Sequence, residues 1–279
     1  MTGGVPVSDA LDGAITAIAA AGCDTPRLDA EVLFAHVLGV SRERLLTDRD
    51  LTVSGPAVRA CQDAVRRRAV EREPVAYITG RRGFRRLELA VDRRVLIPRP
   101  ETELLVELAL ARLPRGARVL DVGTGSGAVA LALADERPDL LVSATDVSED
   151  TLALARANGE RLCLHVDWLR ADLLDGVPDR FDAIFSNPPY VAESERASLA
   201  PEIVRHEPPG ALFAGPDGLD VIRALLDQLT PRAQVRLLML EIGAGQAGAV
   251  VELARAAGFT AVASERDLAG IERVIVGMR

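Results

Sequence analysis

Apolar positions recur at helical spacing through the first 75 residues. Leu11, Ile15, Ile18 and Ala19 share one face, and Ser8-Asp9 ahead of them has the chemistry of an N-cap. Thr25-Pro26 sets a cap residue before a proline at the first helical position, and Leu28, Val32 and Ala35 continue one face. Ser54-Gly55-Pro56 opens another helix, with Val58, Cys61 and Val65 inward and Arg66, Arg67 and Arg68 at its end. Short amphipathic segments of this kind predict a small helical bundle over residues 1–75.

Pro74 closes that region, and the pattern then changes period. Phe84, Leu87, Leu89 and Val91 stand among polar residues with the repeat of a half-buried strand. Residues 76–98 are therefore expected to form an arginine-rich β-hairpin linking two domains. Pro98 and Pro100 punctuate the chain before a helix over 103–112. From residue 118 strands alternate with helices: strands over 119–120, 141–145, 181–186 and 237–241, helices over 129–134, 152–158 and 225–229. The segments 250–257 and 274–276 repeat the alternation. This order predicts an α/β fold with a doubly wound, mainly parallel sheet over 99–279.

Composition narrows the class. With 279 residues, 48% of them hydrophobic, the chain can build one large core and one small one. A net charge of −8 argues against a protein that coats nucleic acid, and no stable nucleic-acid binding is expected. Between Arg59 and Arg99, however, 12 arginines face 5 acidic residues; this surplus is a solvated face or a contact for an acidic partner. All 33 basic residues are arginine, which genome composition explains better than function does. The start, MTGGVPVSDALDG, lacks a basic stretch followed by an apolar one, and no apolar run reaches the roughly 20 residues of a membrane span. A cytoplasmic protein is expected. Cys23, Cys61 and Cys163 are scattered, as are His36, His165 and His206, so neither a disulfide framework nor a metal site is expected.

Three constellations carry candidate chemistry. Asp121-Val122-Gly123-Thr124-Gly125-Ser126-Gly127 follows a strand and opens a helix, where glycines permit a tight turn and close approach of a ligand. Asp146 ends the next strand, placed to accept both hydroxyls of a ribose. These two features suit a nicotinamide cofactor and S-adenosylmethionine equally. Asn187-Pro188-Pro189-Tyr190 follows the strand 181–186 and separates the two. Its prolines rigidify the chain and remove two backbone donors. Asn187 and the Pro188 carbonyl could then each hold one hydrogen of a planar NH₂ group, with Tyr190 stacked on it. Hydride transfer has no need of that device.

Asn187-Pro188-Pro189-Tyr190 resembles the signature of methyltransferases acting on planar nitrogens. Pro74-Val75-Ala76-Tyr77-Ile78-Thr79-Gly80, Leu96-Ile97-Pro98-Arg99-Pro100-Glu101-Thr102-Glu103, the run from Glu207-Pro208-Pro209-Gly210 to Gly218-Leu219, and Arg266-Asp267-Leu268-Ala269-Gly270-Ile271-Glu272-Arg273 together resemble the release factor glutamine methyltransferase family, over essentially the whole chain. The resemblance implies a Rossmann-like S-adenosylmethionine methyltransferase domain behind a helical domain that docks the substrate. It implies S-adenosyl-L-methionine held by Gly123, Thr124, Gly125, Ser126, Gly127, Asp146, Asp172, Leu173 and Asn187. Asn187, Pro188 and Tyr190 would be catalytic, and Asn187, Pro188, Pro189 and Tyr190 would bind the acceptor. That acceptor would be the Gln of the Gly-Gly-Gln loop of class-one peptide chain release factors, with no metal involved. Two departures stand out: Leu173 occupies a position where the family often has an aromatic residue, with Trp168 nearby but out of register, and residues 230–234 lack the usual Gly-Gly turn. The sister family that methylates a ribosomal-protein glutamine differs where this chain has Pro100-Glu101-Thr102-Glu103. A nicotinamide-dependent oxidoreductase and a non-catalytic binding module are the rival classes.

Overall fold

A computed structural model describes residues 4–279. The chain divides into two units, one running to Gly80 and also taking Ala200–His206, the other formed by Arg81–Leu199 and Glu207–Arg279.

The first unit contains β1 (Val5–Pro6), α1 (Val7–Ala20), α2 (Pro26–Leu38), α3 (Arg42–Thr47), β2 (Thr52–Val53), α4 (Pro56–Ala69) and α5 (Val75–Thr79). Its core joins Leu11, Ile18, Ala30, Leu33, Phe34, Cys61 and Ala64. Two details differ from the sequence expectation. Helix α1 starts at Val7, so Ser8 lies inside it and bonds Asp9 rather than capping. On α2 the inward face runs through Ala30, Leu33 and Phe34, whereas Leu28 is exposed. Ala35 is buried as expected, and Asp29 is buried too, ion-paired at 2.6 Å with Arg68. Arg68 in turn lies seven residues, about two helical turns, beyond Cys61, on the same inward stripe.

That pairing corrects the reading of the basic run. Arg66 binds Asp63 and Glu71, Arg67 binds Glu73, and Arg68 binds Asp29 and Glu202. Arg66 stays on the solvated face that the sequence suggested, while Arg68 is buried and engaged within its own unit. Glu202 belongs to the short helix of the returning segment, where Arg72 also holds it at 2.7 Å.

The second unit begins with the hairpin β3 (Arg81–Phe84) and β4 (Leu87–Ala90), followed by α6 (Glu103–Arg112), β5 (Arg118–Val122), α7 (Ala128–Glu136), β6 (Leu141–Asp146), α8 (Glu149–Leu162), β7 (Asp167–Arg170) and β8 (Ala183–Ser186). After α9 (Pro201–His206) has returned to the first unit, the second resumes with α10 (Asp220–Leu229), β9 (Leu237–Glu241), α11 (Ala247–Ala256), β10 (Ala261–Arg266) and β11 (Glu272–Met278). Seven strands form one sheet in the order β10-β11-β9-β8-β5-β6-β7. Strands β7, β6, β5, β8 and β9 run parallel, and β11 runs antiparallel to both its neighbours, β9 and β10. Both faces are covered: Val119, Phe185 and Met239 enter one core, and their neighbours Leu120, Ile184 and Leu238 enter the other. Double coverage is why these strands read as apolar runs instead of alternating. Strands β7 and β10, at the sheet edges, carry half-exposed residues and no such run, and the sequence pattern did not reveal them.

Candidate cofactor and acceptor site

The sheet reverses direction of winding beside β5: β6 and β7 extend to one side, β8 and β9 to the other. At such a switch point the loops leaving the strand ends part and leave a crevice. A cavity of about 400 Å³ lies there, lined by the loops after β5, β6 and β8. Ser186, the last residue of β8, donates from Oγ to the Val122 carbonyl at 2.7 Å and locks the ends of β8 and β5 together.

Gly123, Thr124, Gly125 and Ser126 line the cavity. Gly123 and Gly125 have positive φ, 71° and 57°, and a Cβ at either would point into open space. The glycines thus leave room for a ligand against bare backbone. The loop is held from behind: the N–H groups of Gly123 and Thr124 both donate to the Thr145 carbonyl at 2.9 Å. Asp121, fully buried, accepts from the Thr124 hydroxyl at 2.6 Å and from Ala130 N–H, and burial pushes its carboxyl up to about 6.

Gly127 is placed differently from Gly123 and Gly125. It does not line the cavity, and a Cβ there would come within 3.0 Å of Leu131 and 3.1 Å of Trp168. It lets α7 start close against β7. Trp168 therefore packs on Gly127 and Gly159 and does not line the cavity.

Asp146 lines the cavity, its Oδ2 accepting from Gly125 N–H at 3.1 Å and its Oδ1 from Ser148 N–H at 3.0 Å. Each oxygen keeps a second lone pair for a ligand hydroxyl. Burial raises the Asp146 pKa, and the backbone donors at Ser148 and Gly125 oppose the rise. Asp172 and Leu173 close another part of the wall. Leu173 has φ of 53°, an uncommon conformation for a branched apolar residue, and its carbonyl accepts from Thr145 Oγ1 at 3.4 Å.

Asn187 and Pro189 line the cavity, while Pro188 and Tyr190 do not. Asn187 donates from Nδ2 to Thr102 Oγ1 at 3.1 Å. Tyr190, expected to stack on an acceptor, instead donates from its hydroxyl to Glu241 Oε1 at 3.3 Å. Gln246 clamps the Tyr190 carbonyl at 2.9 Å. Burial pushes the Glu241 carboxyl up to about 7, and the Tyr190 hydroxyl is driven upward as well, by burial first and then by Glu241.

Three contributors were missed from the sequence. Thr102 and Thr151 line the cavity. Asn158, fully buried, bridges the hairpin to the glycine loop: it accepts from Ala90 N–H and donates to the Ala90 and Ser126 carbonyls. Thr102 had a local signal, since it stands in the Pro100-Glu101-Thr102-Glu103 motif. The other two had none. The described residues include no cluster of metal-ligating side chains, no disulfide, and no helix long and apolar enough to cross a membrane.

The chain matches two family models, a PrmC N-terminal domain over residues 9–80 and a methyltransferase small domain over residues 100–215. Among curated proteins it is 46% identical over 261 residues to the release factor glutamine methyltransferase of Bordetella pertussis, covering 90% of this chain and 94% of that one. It is 40% identical over 277 residues to that of Deinococcus radiodurans, covering 97% and 98%. Among solved structures, a methyltransferase from Pyrococcus furiosus aligns with a TM-score of 0.52 at 19% identity, over 69% of this chain and 88% of the other. The catalytic domain of hMettl16 in complex with an RNA hairpin aligns with a TM-score of 0.57 at 17% identity, over 88% and 91%. Those two share the fold. The full-length matches near 40% identity carry more: this chain belongs to the release factor glutamine methyltransferase family.

Proposed function

We propose that the chain transfers the methyl group of S-adenosylmethionine to the side-chain amide nitrogen of a protein glutamine, that of the Gly-Gly-Gln loop of a class-one peptide chain release factor. The observation that carries this reading is the orientation of Asn187. With Nδ2 tied to Thr102, its Oδ1 is left to accept a hydrogen bond at the cavity wall. An acceptor placed there suits an NH₂ group.

The cavity fits the donor. Bare backbone at Gly123 and Gly125 provides a cradle, and Asp146 offers two lone pairs suited to a ribose diol. S-adenosylmethionine, when bound, supplies an electrophilic sulfonium methyl. An amide nitrogen is a poor nucleophile because its lone pair is shared with its carbonyl, so alignment has to supply most of the acceleration. Asn187 Oδ1, at the cavity wall, would hold one hydrogen of the acceptor amide, turning the nitrogen toward the methyl. That acceptor also favours the positive charge that develops on nitrogen. The extra proton can leave after transfer, with no strong base required.

Asn187→Ala tests the assignment. Single-turnover methyl transfer should fall by about 10²-fold, the scale of removing one preorganised polar group. Melting temperature should change little. A rate near wild type in the folded variant would remove Asn187 from the mechanism.

A further inference from the structure

The turn that carries Asn187 cannot fasten itself. Pro188 and Pro189 fix its shape but have no N–H to donate, so its place must be set from its two ends. The upstream end is held by β8, where Ser186 pairs with Leu240 of β9, and by Asn187 Nδ2 on Thr102. The downstream end is held by Gln246. That side chain donates from Nε2 to the Tyr190 carbonyl at 2.9 Å and to the Asp217 carbonyl at 3.3 Å, and its Oε1 accepts from Gly243 N–H at 2.8 Å.

These three partners admit a single orientation of the Gln246 amide, because a backbone carbonyl only accepts and a backbone N–H only donates. The root of the side chain is fixed as well: Gln246 immediately precedes α11, whose Ala247, Val250 and Ala254 are buried. Gly218, with φ of 76°, lies against the same carbonyl, and a Cβ there would stand 2.2 Å from the Tyr190 oxygen. The Tyr190 carbonyl is thus confined by Gln246 and by bare backbone, while the Tyr190 hydroxyl is tied separately to Glu241. Neither Gln246 nor Tyr190 lines the cavity, whereas Asn187 and Pro189 do. Gln246 can therefore reach the chemistry only through the turn.

We propose that Gln246 is a positioning residue for methyl transfer: by holding the Tyr190 carbonyl it sets where the proline pair, and with it Asn187, stands at the cavity wall. The proposal rests on the reading of Asn187 given above. With φ locked at Pro188 and Pro189 the turn is a stiff lever, so a shift at Tyr190 is carried back to Asn187. Transfer to a poor nucleophile depends on alignment, and a displaced Asn187 loses it. The cofactor cradle is built on the ends of β5 and β6 and makes no contact with this clamp in the hydrogen bonds of Gln246.

A double-mutant cycle on one class-one release factor tests it, with methyl transfer measured by single turnover at saturating S-adenosylmethionine and cofactor affinity by calorimetry. Gln246→Met keeps the shape of the side chain and removes its three hydrogen bonds. It should slow transfer about tenfold, with cofactor affinity within about threefold of wild type. In the Asn187→Ala background the same change should slow transfer by less than about twofold, because the group it positions is gone. A wild-type rate in Gln246→Met overturns the proposal. So does an equal loss in both backgrounds, or a cofactor affinity that falls as far as the rate. If Gln246→Met does not fold, Gln246→Glu decides. Its ionised carboxylate faces two carbonyls, so its rate relative to wild type should rise as the pH is lowered and the carboxyl gains a proton to donate to the Tyr190 carbonyl; a flat ratio overturns the proposal. Full transfer in folded Asn187→Ala defeats the underlying reading of Asn187 instead.

Discussion

The backbone N–H of Gly125 donates to Oδ2 of Asp146 at 3.1 Å, tying the glycine loop after β5 to the carboxylate that ends β6. One side chain thus shapes the loop and offers its remaining lone pairs to the ligand. Asp146→Ala should weaken S-adenosylmethionine binding by about 2–3 kcal/mol, as charge-assisted hydrogen bonds are lost. Isothermal calorimetry measures it, and unchanged affinity would refute the ribose assignment. Asp146→Asn, which keeps one acceptor, should lie between.

The glycines of the loop should separate by function. A Cβ at Gly127 meets Leu131 and Trp168, so Gly127→Ala should cost about 1–3 kcal/mol of stability from strain and overpacking. A Cβ at Gly123, which lines the cavity, meets nothing in the protein. Gly123→Ala should therefore lose more cofactor affinity than Gly127→Ala does. Paired melting and titration experiments check this, and equal affinity losses would contradict it.

Arg68 is buried against Asp29 and Glu202, so it acts as a structural ion. Arg68→Ala strands Asp29 in the core and should destabilise the protein by about 3–5 kcal/mol. Arg66→Ala, at an exposed site, should leave the denaturant midpoint nearly unchanged. A small effect of Arg68→Ala would mean the buried pair is dispensable.

Glu241 gives a pH prediction with a definite sign. Its carboxyl is raised from 4.5 to about 7, first by burial. Between those values the folded state holds a proton that the unfolded chain has lost, so folding stability falls as pH rises through that window. The loss approaches something on the order of 3 kcal/mol above it. Glu241→Gln escapes this loss, so its stability relative to wild type should improve from pH 5 to pH 8 in urea titrations. An equal difference at both pH values would show that Glu241 titrates normally.

What could be read from the sequence is what local chemistry announces. The glycine loop, Asp146 and Asn187 each follow an apolar strand, and the structure brings all three to one cavity. Their partners were not legible, because those contacts join residues distant in the chain. Thr102 meets Asn187 across 85 positions, and Tyr190 meets Glu241 across 51. Gly127 stands in the same glycine loop as Gly123, yet only its packing against Leu131 and Trp168 shows how it sits at the helix start. The burial of Arg68 within the arginine surplus was not legible because sequence displays charges but not the Asp29 and Glu202 that pair with it. Edge strand β10 escaped notice because its half-exposed residues lack the apolar run of the central strands.

The central claim is that a glutamine amide nitrogen of a release factor receives the methyl group. The protein is incubated with S-adenosylmethionine carrying a labelled methyl and a purified class-one release factor, and the labelled peptide is mapped by tandem mass spectrometry. The account predicts one methyl on the side-chain nitrogen of the glutamine in the Gly-Gly-Gln loop, and none when that glutamine is replaced by alanine. A methyl on any other residue, or none on a correctly folded release factor, would contradict it.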